Sequence, residues 1–329
     1  MCPELDSLHF PLIGIVHCAL SALLLGKLLL ANFAFADLDS ICGRTPVIHD
    51  GKIIFLAAGQ SMRIVTSLLP ELMVAKSDGS DVAVVVDVLR ATSVMTTAFD
   101  SGAKQVFTCC EVSEATALAD QLASATQHQR PLLCGERSCK PITGFDCGNS
   151  PSEYTPRRVR GQTLIMTTTN GTKAIQAASS AKQLIAASFL NLPKIVEFLR
   201  GSGLVHLVCS GTDGRITAED VLLAGAIIDG CMVEYQAKIE DDDSQIAHHL
   251  WSSCLPVSAS TPWISLKNGN ETQLSHVLAK RFSCTLGGRN LRQWGFAEDL
   301  HRCAQIGTKS VIGVRSQQNP TAFELLAND

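Results

Sequence analysis

Three short segments of this 329-residue chain place charged and hydroxyl side chains directly after apolar runs. Asp87-Val-Leu-Arg90-Ala-Thr92-Ser93 follows VAVVV and offers a carboxylate, a guanidinium and two hydroxyls at a helix start. Free N–H groups and the helix dipole at such a start favour an anion, and Arg90 has the planar fork to grip one. Thr92 or Ser93 suits a plain N-cap equally well, and Arg90 a surface ion pair. Thr167-Thr168-Thr169-Asn170-Gly171-Thr172 gathers hydroxyls and an amide around one permissive glycine, a pattern that also fits a turn followed by a cap. Ser210-Gly211-Thr212-Asp213-Gly214-Arg215 pairs flexible backbone with one carboxylate and one guanidinium. Thr217 and Asp220 just beyond it have capping-box spacing, which assigns Asp220 a structural task and leaves Asp213 and Arg215 without one.

Glu136 and Arg137 in Cys134-Gly-Glu-Arg137, with Asp146 and Asn149 downstream, have no local structural explanation either. Ser150, Pro151 and Glu153 fit the N-cap, first and third positions of a short helix. Gly287-Gly288-Arg289-Asn290 reads as a basic, glycine-rich turn leading into a helix. Together these loops present arginine, hydroxyl and amide donors beside a few isolated carboxylates. The donors suit a small substrate with more than one anionic group; Asp87, Glu136 and Asp213 suit Mg²⁺, which takes oxygen ligands and bridges to phosphate. No P-loop, GxGxxG or GxSxG motif is present, and no histidine lies in these loops, so nucleotide binding and Ser-His-Asp chemistry have little support.

The elements that must position these loops alternate along the chain. Apolar strands are expected at Val82–Val86, Val106–Thr108, Leu164–Met166, Leu184–Ala187 and Leu204–Cys209. Helices are expected over Thr92–Phe99, Ser113–Ala125, the segment up to Ala178, Pro193–Leu199 and Glu219–Gly230. Continuous apolar strands alternating with helices predict a three-layer α/β/α fold with a mainly parallel or mixed sheet, and ligands beyond the carboxyl ends of its strands. Residues 234–275, with the acidic Asp241–Asp243, break the pattern and read as an excursion whose triplet is a solvated loop.

Charged residues make up 18% of the chain and the net charge is −4, which argues against a nucleic-acid partner. The apolar run at 10–36 carries Lys27 as its one full charge. It follows an acidic start and is too long for a signal peptide, while Lys27 is costly inside a membrane. An extension upstream of the true start at Met62 is the preferred reading of residues 1–61; a signal or anchor, and an ordered extra helix, are the others. The catalytic region is then 62–329, soluble and cytoplasmic, with a homo-oligomer open. Thirteen cysteines without a zinc-ribbon spacing read as free thiols in a reducing compartment, in preference to a metal site at Cys134, Cys139 and Cys147.

The blocks VVVDVLRATS (84–93), CGER (134–137), GFDCGNSPSEY (144–154), TTTNGTKA (167–174), SFLN (188–191), CSGTDGRITAEDVLLAGAIID (209–229) and GGRN (287–290) resemble, in order, the 2-phosphosulfolactate phosphatase family. The resemblance implies a family-specific α/β phosphatase fold and Mg²⁺-dependent hydrolysis of 2-phospho-3-sulfolactate to 3-sulfolactate, a step towards coenzyme M. Mapped onto these blocks, Asp87, Glu136 and Asp213 become the expected metal ligands and, with Arg90, the catalytic set. Arg90, Arg137, Arg215 and Arg289 would bind anionic groups, with Thr92, Ser93, Asn149, Thr168, Asn170 and Thr172 orienting them. A phosphatase for another small phospho-acid, and a non-catalytic anion binder of the same fold, are the alternatives. Asp87 also resembles the first position of a haloacid-dehalogenase DxD pair, but Leu89 stands at the second, so metal-activated water is preferred to an aspartyl-phosphate. The blocks depart from the family in two ways: residues 1–61 have no counterpart, and Cys134 and Cys139 stand where glycine or other small residues are expected.

Overall fold

The computed structural model describes residues 45–49, 52–56, 61–73, 79–125, 130–254 and 261–326, the first two segments as backbone only. It divides into two units, Met1–Gly59 and Gln60–Asp329. In the first, β1 (Thr45–His49) and β2 (Lys52–Leu56) form an antiparallel hairpin. The apolar run at 10–36 lies outside the described residues. Among those described, no helix is long and apolar enough to cross a membrane.

The second unit opens with β3 (Arg63–Ser67) and β4 (Val82–Val86). All five β4 residues are buried, as a β-branched run covered on both faces should be. The chain continues through α1 (Ala91–Asp100), β5 (Gln105–Thr108), α2 (Val112–Ala125), β6 (Leu132–Arg137), β7 (Lys140–Pro141), α3 (Pro156–Val159), β8 (Thr163–Thr167) and α4 (Gly171–Ala177). Next come β9 (Gln183–Ala187), α5 (Leu192–Phe198), β10 (Leu204–Cys209), α6 (Ala218–Tyr235) and β11 (Lys238–Ile239). Five further helices follow: α7 (Asp242–Ser252), α8 (Pro262–Lys267), α9 (Glu271–Phe282), α10 (Leu286–Gln293) and α11 (Ala297–Cys303). β12 (Gly313–Arg315) and β13 (Ala322–Leu325) close the unit.

One sheet carries eleven of these strands, in the order β11-β3-β10-β4-β9-β12-β13-β5-β8-β6-β7. The run from β11 to β9 is parallel, and so is the run β5-β8-β6. The antiparallel pair β12–β13 lies between them and pairs antiparallel with both neighbours, so the two parallel runs point in opposite directions. A flat sheet would hold their carboxyl ends on opposite edges. Here the inner face of both runs shares one core with α1 and α4: Val85 and Leu184 from the first run, Leu164 and Met166 from the second, with Met95 and Ala174 between them. The sheet bends around that core, and helices on its outer faces complete three layers.

Residues 234–275 hold β11, α7, α8 and the start of α9. Buried Asp229 of α6 fastens this region by accepting from Trp251 Nε1 at 3.0 Å and from the Trp263 backbone N–H at 2.8 Å. Asp241 caps α7 by accepting from the Ser244 N–H, and Asp243 accepts from the Leu68 N–H.

Candidate active site

Strand register sets the floor of the site. Val86 is level with Cys209 on one side and Ala187 on the other, so Asp87, Ser210 and Ser188 end three adjacent strands together. In the second run Gly135 pairs with Thr167, which puts Glu136 level with Thr168. The bend brings both levels into one cleft of about 290 Å³, lined by Asp87, Arg90, Glu136, Asn149, Thr168, Asn170 and Asp213 among others. At its base, α1 and α4 approach so closely that a Cβ on Gly171 would lie 2.7 Å from both the Ala91 Cβ and Asp87 Oδ2.

Each floor carboxylate is partly committed. Asp87 Oδ1 accepts from the Ala91 N–H at 3.1 Å at the start of α1. Burial, with repulsion from Glu136, pushes its carboxyl up to about 6. Glu136 Oε1 accepts from the Thr169 N–H and hydroxyl at 2.9 and 3.0 Å, and its Oε2 from the Cys139 N–H at 2.7 Å. Asn149 Oδ1 and Thr168 Oγ1 are buried with no hydrogen-bond partner. Both residues line the cleft, so these oxygens are free to serve as donors to a ligand.

Arg90, 3% exposed, donates to Asp299 at 2.7 Å and lies 4.4 Å above the Phe296 ring. Asp299 also accepts from Ser150 Oγ at 2.7 Å, which ties α11 to the 150–153 helical turn and fixes the guanidinium at the cleft wall. That turn carries the predicted capping arrangement: Glu153 accepts from the Ser150 N–H.

Several expected binding groups lie elsewhere. Arg137 is one residue past cleft-facing Glu136, so strand alternation turns it away. It donates to the Glu136 and Cys110 carbonyls and to Thr167 Oγ1, stapling loop ends together. Arg215 closes the two-residue Asp213-Gly214 turn and is exposed outside the cleft lining. Gly287-Gly288-Arg289-Asn290 is not a turn before a helix but the first part of α10, because Thr285 caps it by accepting from the Gly288 N–H. Arg289 is exposed there and donates to the Cys284 carbonyl. Thr92, Ser93 and Thr172 donate to the carbonyls of Asp87, Val88 and Thr168, so these hydroxyls serve helix starts instead of the cleft.

Asp213 lines the cleft but is exposed, its backbone N–H donating to Asn170 Oδ1 at 3.2 Å. Among the described residues, no three His, Cys, Asp or Glu side chains cluster as a metal-holding group, so Asp213 does not join Asp87 and Glu136 in a compact triad. Asp220 is structural, as its spacing implied, though by other bonds. It accepts from the Val88 and Gly211 N–H groups at 2.8 and 2.9 Å and locks the ends of β4 and β10 to α6. Thr217 makes no capping bond to the helix backbone and donates to Asp220 instead.

Sequence reasoning missed Asp299 and Glu219. Asp299 sits in an ordinary helical stretch and offers no sequence signal. Glu219, hidden beside Asp220 in what reads as a helix cap, is 1% exposed with Oε2 unpartnered. A Cβ on the cleft-lining Gly287 would run into its Oε1, so Glu219 stands immediately behind the cleft wall. Burial, reinforced by the negative charge of Asp87, pushes its carboxyl up to about 7.

The comparisons agree with this architecture. A family model described as 2-phosphosulpholactate phosphatase matches residues 67–318. A protein of Symbiobacterium thermophilum named as a probable 2-phosphosulfolactate phosphatase is 36% identical over 245 residues, 74% of this chain and 94% of the relative. One of Caldanaerobacter subterraneus subsp. tengcongensis with the same name is 34% identical over 230 residues, 70% of this chain and 85% of its own. A third, from Thermotoga maritima, is 45% identical over 146 residues, where the match spans 44% of this chain and 60% of the relative. The matched residues contain the whole cleft, from Asp87 to Trp294. By its sequence and by the extent of that match, the chain belongs to the 2-phosphosulfolactate phosphatase family, a family of phosphoric monoester hydrolases.

Proposed function

We propose that this chain is a Mg²⁺-dependent phosphatase that hydrolyses 2-phospho-3-sulfolactate to 3-sulfolactate and phosphate. The observation that carries the reading is the charge of the cleft. Its described lining holds three carboxylates and one arginine, and that arginine is already paired with Asp299. A substrate bearing phosphate, sulfonate and carboxylate is repelled by such a lining until a cation intervenes.

The residues present fit that cation. Asp87 and Glu136 would hold it, and the unpartnered Asn149 Oδ1 and Thr168 Oγ1 add hard oxygen donors. Mg²⁺ needs only one or two carboxylates from a protein and fills its other positions with water and phosphate, so a compact three-carboxylate cluster is not required. When bound, Mg²⁺ supplies Lewis acidity towards the phosphoryl oxygens and lowers the pKa of water.

The chain's own groups do the rest. The fixed Arg90 guanidinium faces the developing phosphoryl charge, and Asn170 orients the acid portion. Water is the nucleophile in this reading, since one oxygen of Asp87 is held by the Ala91 N–H and Leu89 has no proton to give a leaving group. The enzyme would work in the cytoplasm, where its buried free thiols are at home, on the route towards coenzyme M.

Steady-state phosphate release by the full chain from 2-phospho-3-sulfolactate tests this, with 2-phospholactate and phosphoglycolate as comparators. The expected result is release with a preference for the sulfonated compound. Hydrolysis of none of the three by folded protein would leave an anion-binding protein as the better account. A preference for phosphoglycolate would point to another phospho-acid.

A further inference from the structure

A second cation, Lys140, reaches one of the residues that line the cleft, Trp294. β6 and β7 are joined by the two-residue turn Ser138-Cys139, both residues having positive φ (52° and 65°), as a type I′ hairpin requires. Neither is glycine, so the turn is held against its own preference. Two bonds hold it: the Cys139 N–H donates to Glu136 Oε2, and the Cys139 carbonyl accepts from Arg90 Nη2 at 3.4 Å. Ser138 and Cys139 line the cleft, and the next residue, Lys140, begins β7 just outside that lining. Its Nζ lies 3.8 Å from the centre of the Trp294 ring, which lines the opposite wall at the end of α10 and is 43% exposed. The lysine therefore bridges the two walls of the cleft by a cation–π contact, an interaction that is weak at an exposed site.

Building on the phosphatase reading, we propose that Lys140 is a specificity residue: it leaves Trp294 to bind the sulfonate of the substrate, the anionic group that is not transferred. The inventory of charges supports this. Arg90 is paired with Asp299, and Arg137 and Arg289 are held on backbone carbonyls, whereas Lys140, outside the lining as they are, reaches the lining residue Trp294. Lys140 is exposed and makes only a weak exchangeable contact with Trp294, which lines the cleft. A compact ammonium with three rotatable donors suits the three oxygens of a sulfonate, whereas a planar guanidinium suits a planar carboxylate. Trp294 holds the long side chain against the cleft wall in the free protein and so reduces the cost of ordering it on binding.

The test compares kcat/KM for 2-phospho-3-sulfolactate and 2-phospholactate in the full chain and its variants, at saturating Mg²⁺. Lys140→Ala is expected to lower the ratio of the two values about tenfold, mainly through KM for the sulfonated substrate. Lys140→Arg, which keeps the charge but not the ammonium geometry, should restore the ratio only in part, and Trp294→Ala should lower it less than Lys140→Ala does. In the wild type, 3-sulfolactate should change the fluorescence of exposed Trp294, and lactate should not. An unchanged ratio in Lys140→Ala, with both compounds turned over by the wild type, overturns the assignment while leaving the phosphatase reading intact. Turnover of neither compound by the wild type overturns that reading and this assignment with it.

Discussion

Burial raises the carboxyl pKa values of Asp87 at the cleft floor and of Glu219 behind its wall. Asp87 at about 6 and Glu219 at about 7 both prefer the neutral form more than a solvated carboxyl does. A cation on Asp87 would reverse that preference, because opposite charge favours the ionised form. Glu219 is the more informative residue, since its Oε2 is buried without a hydrogen-bond partner. Unfolding returns its pKa from about 7 to the ordinary 4.5, so the native state binds the extra proton between those values. The resulting stability is present below about pH 4.5 and is lost as pH rises through about 7. Glu219→Gln is therefore expected to match the wild type in Tm near pH 4.5 and to exceed it near pH 8, in EDTA. Equal Tm at both values would mean that Glu219 is solvated in the native protein.

Arg90 and Asp299 make a second prediction at the same scale. Their side chains are 2% and 3% exposed and form the cleft's buried ion pair. Removing one partner strands the other, a loss of about 3–5 kcal/mol. Asp299→Ala should lower the denaturation midpoint accordingly and reduce kcat as well, because Arg90 loses its anchor. Full stability in urea titration would contradict the pairing.

Elements bring these residues together, and here the sequence was informative in proportion to how local the physics is. The β-branched VAVVV run, the apolar strand at 204–209 and a helix over Glu219–Gly230 follow from composition and period alone, though that helix runs five residues further, to Tyr235; the strand-end loops mark the cleft. The antiparallel β12–β13 pair was not legible. Its strands are three and four residues long, and their place between β9 and β5 depends on partners more than a hundred residues away. Without that pair, the opposed directions of the two parallel runs could not be foreseen. The arginines show the same limit: a motif gives a position along the strand, but alternation and capping decided that Arg137 and Arg289 leave the cleft. The close approach of α1 and α4 gives the element-scale prediction. Gly171→Ala would drive a methyl into Ala91 and Asp87, and should cost about 1–3 kcal/mol with a loss of phosphate release. Wild-type values for both by thermal melt and activity assay would show that the helices are farther apart.

At the scale of the molecule, one bent sheet gathers the ends of two opposed parallel runs, and the result is a cleft with more negative than positive charge. A polyanionic substrate is repelled by such a place unless a cation accompanies it, which is what makes cation dependence the property to test. If water is the nucleophile, enzyme quenched in acid during turnover should carry no phosphoryl group; a phosphorylated Asp87 would reassign the nucleophile. The central claim is that Asp87 and Glu136 together hold Mg²⁺ for phosphoryl transfer. Its most direct measurement is phosphate release from 2-phospho-3-sulfolactate against Mg²⁺ concentration, for wild type, Asp87→Asn and Glu136→Gln. The account predicts no release by the wild type in EDTA, and at least a tenfold rise in half-saturating Mg²⁺ for each variant, about 1.4 kcal/mol or more of lost binding. Undiminished release in EDTA, or unaltered Mg²⁺ dependence in both variants, would contradict it.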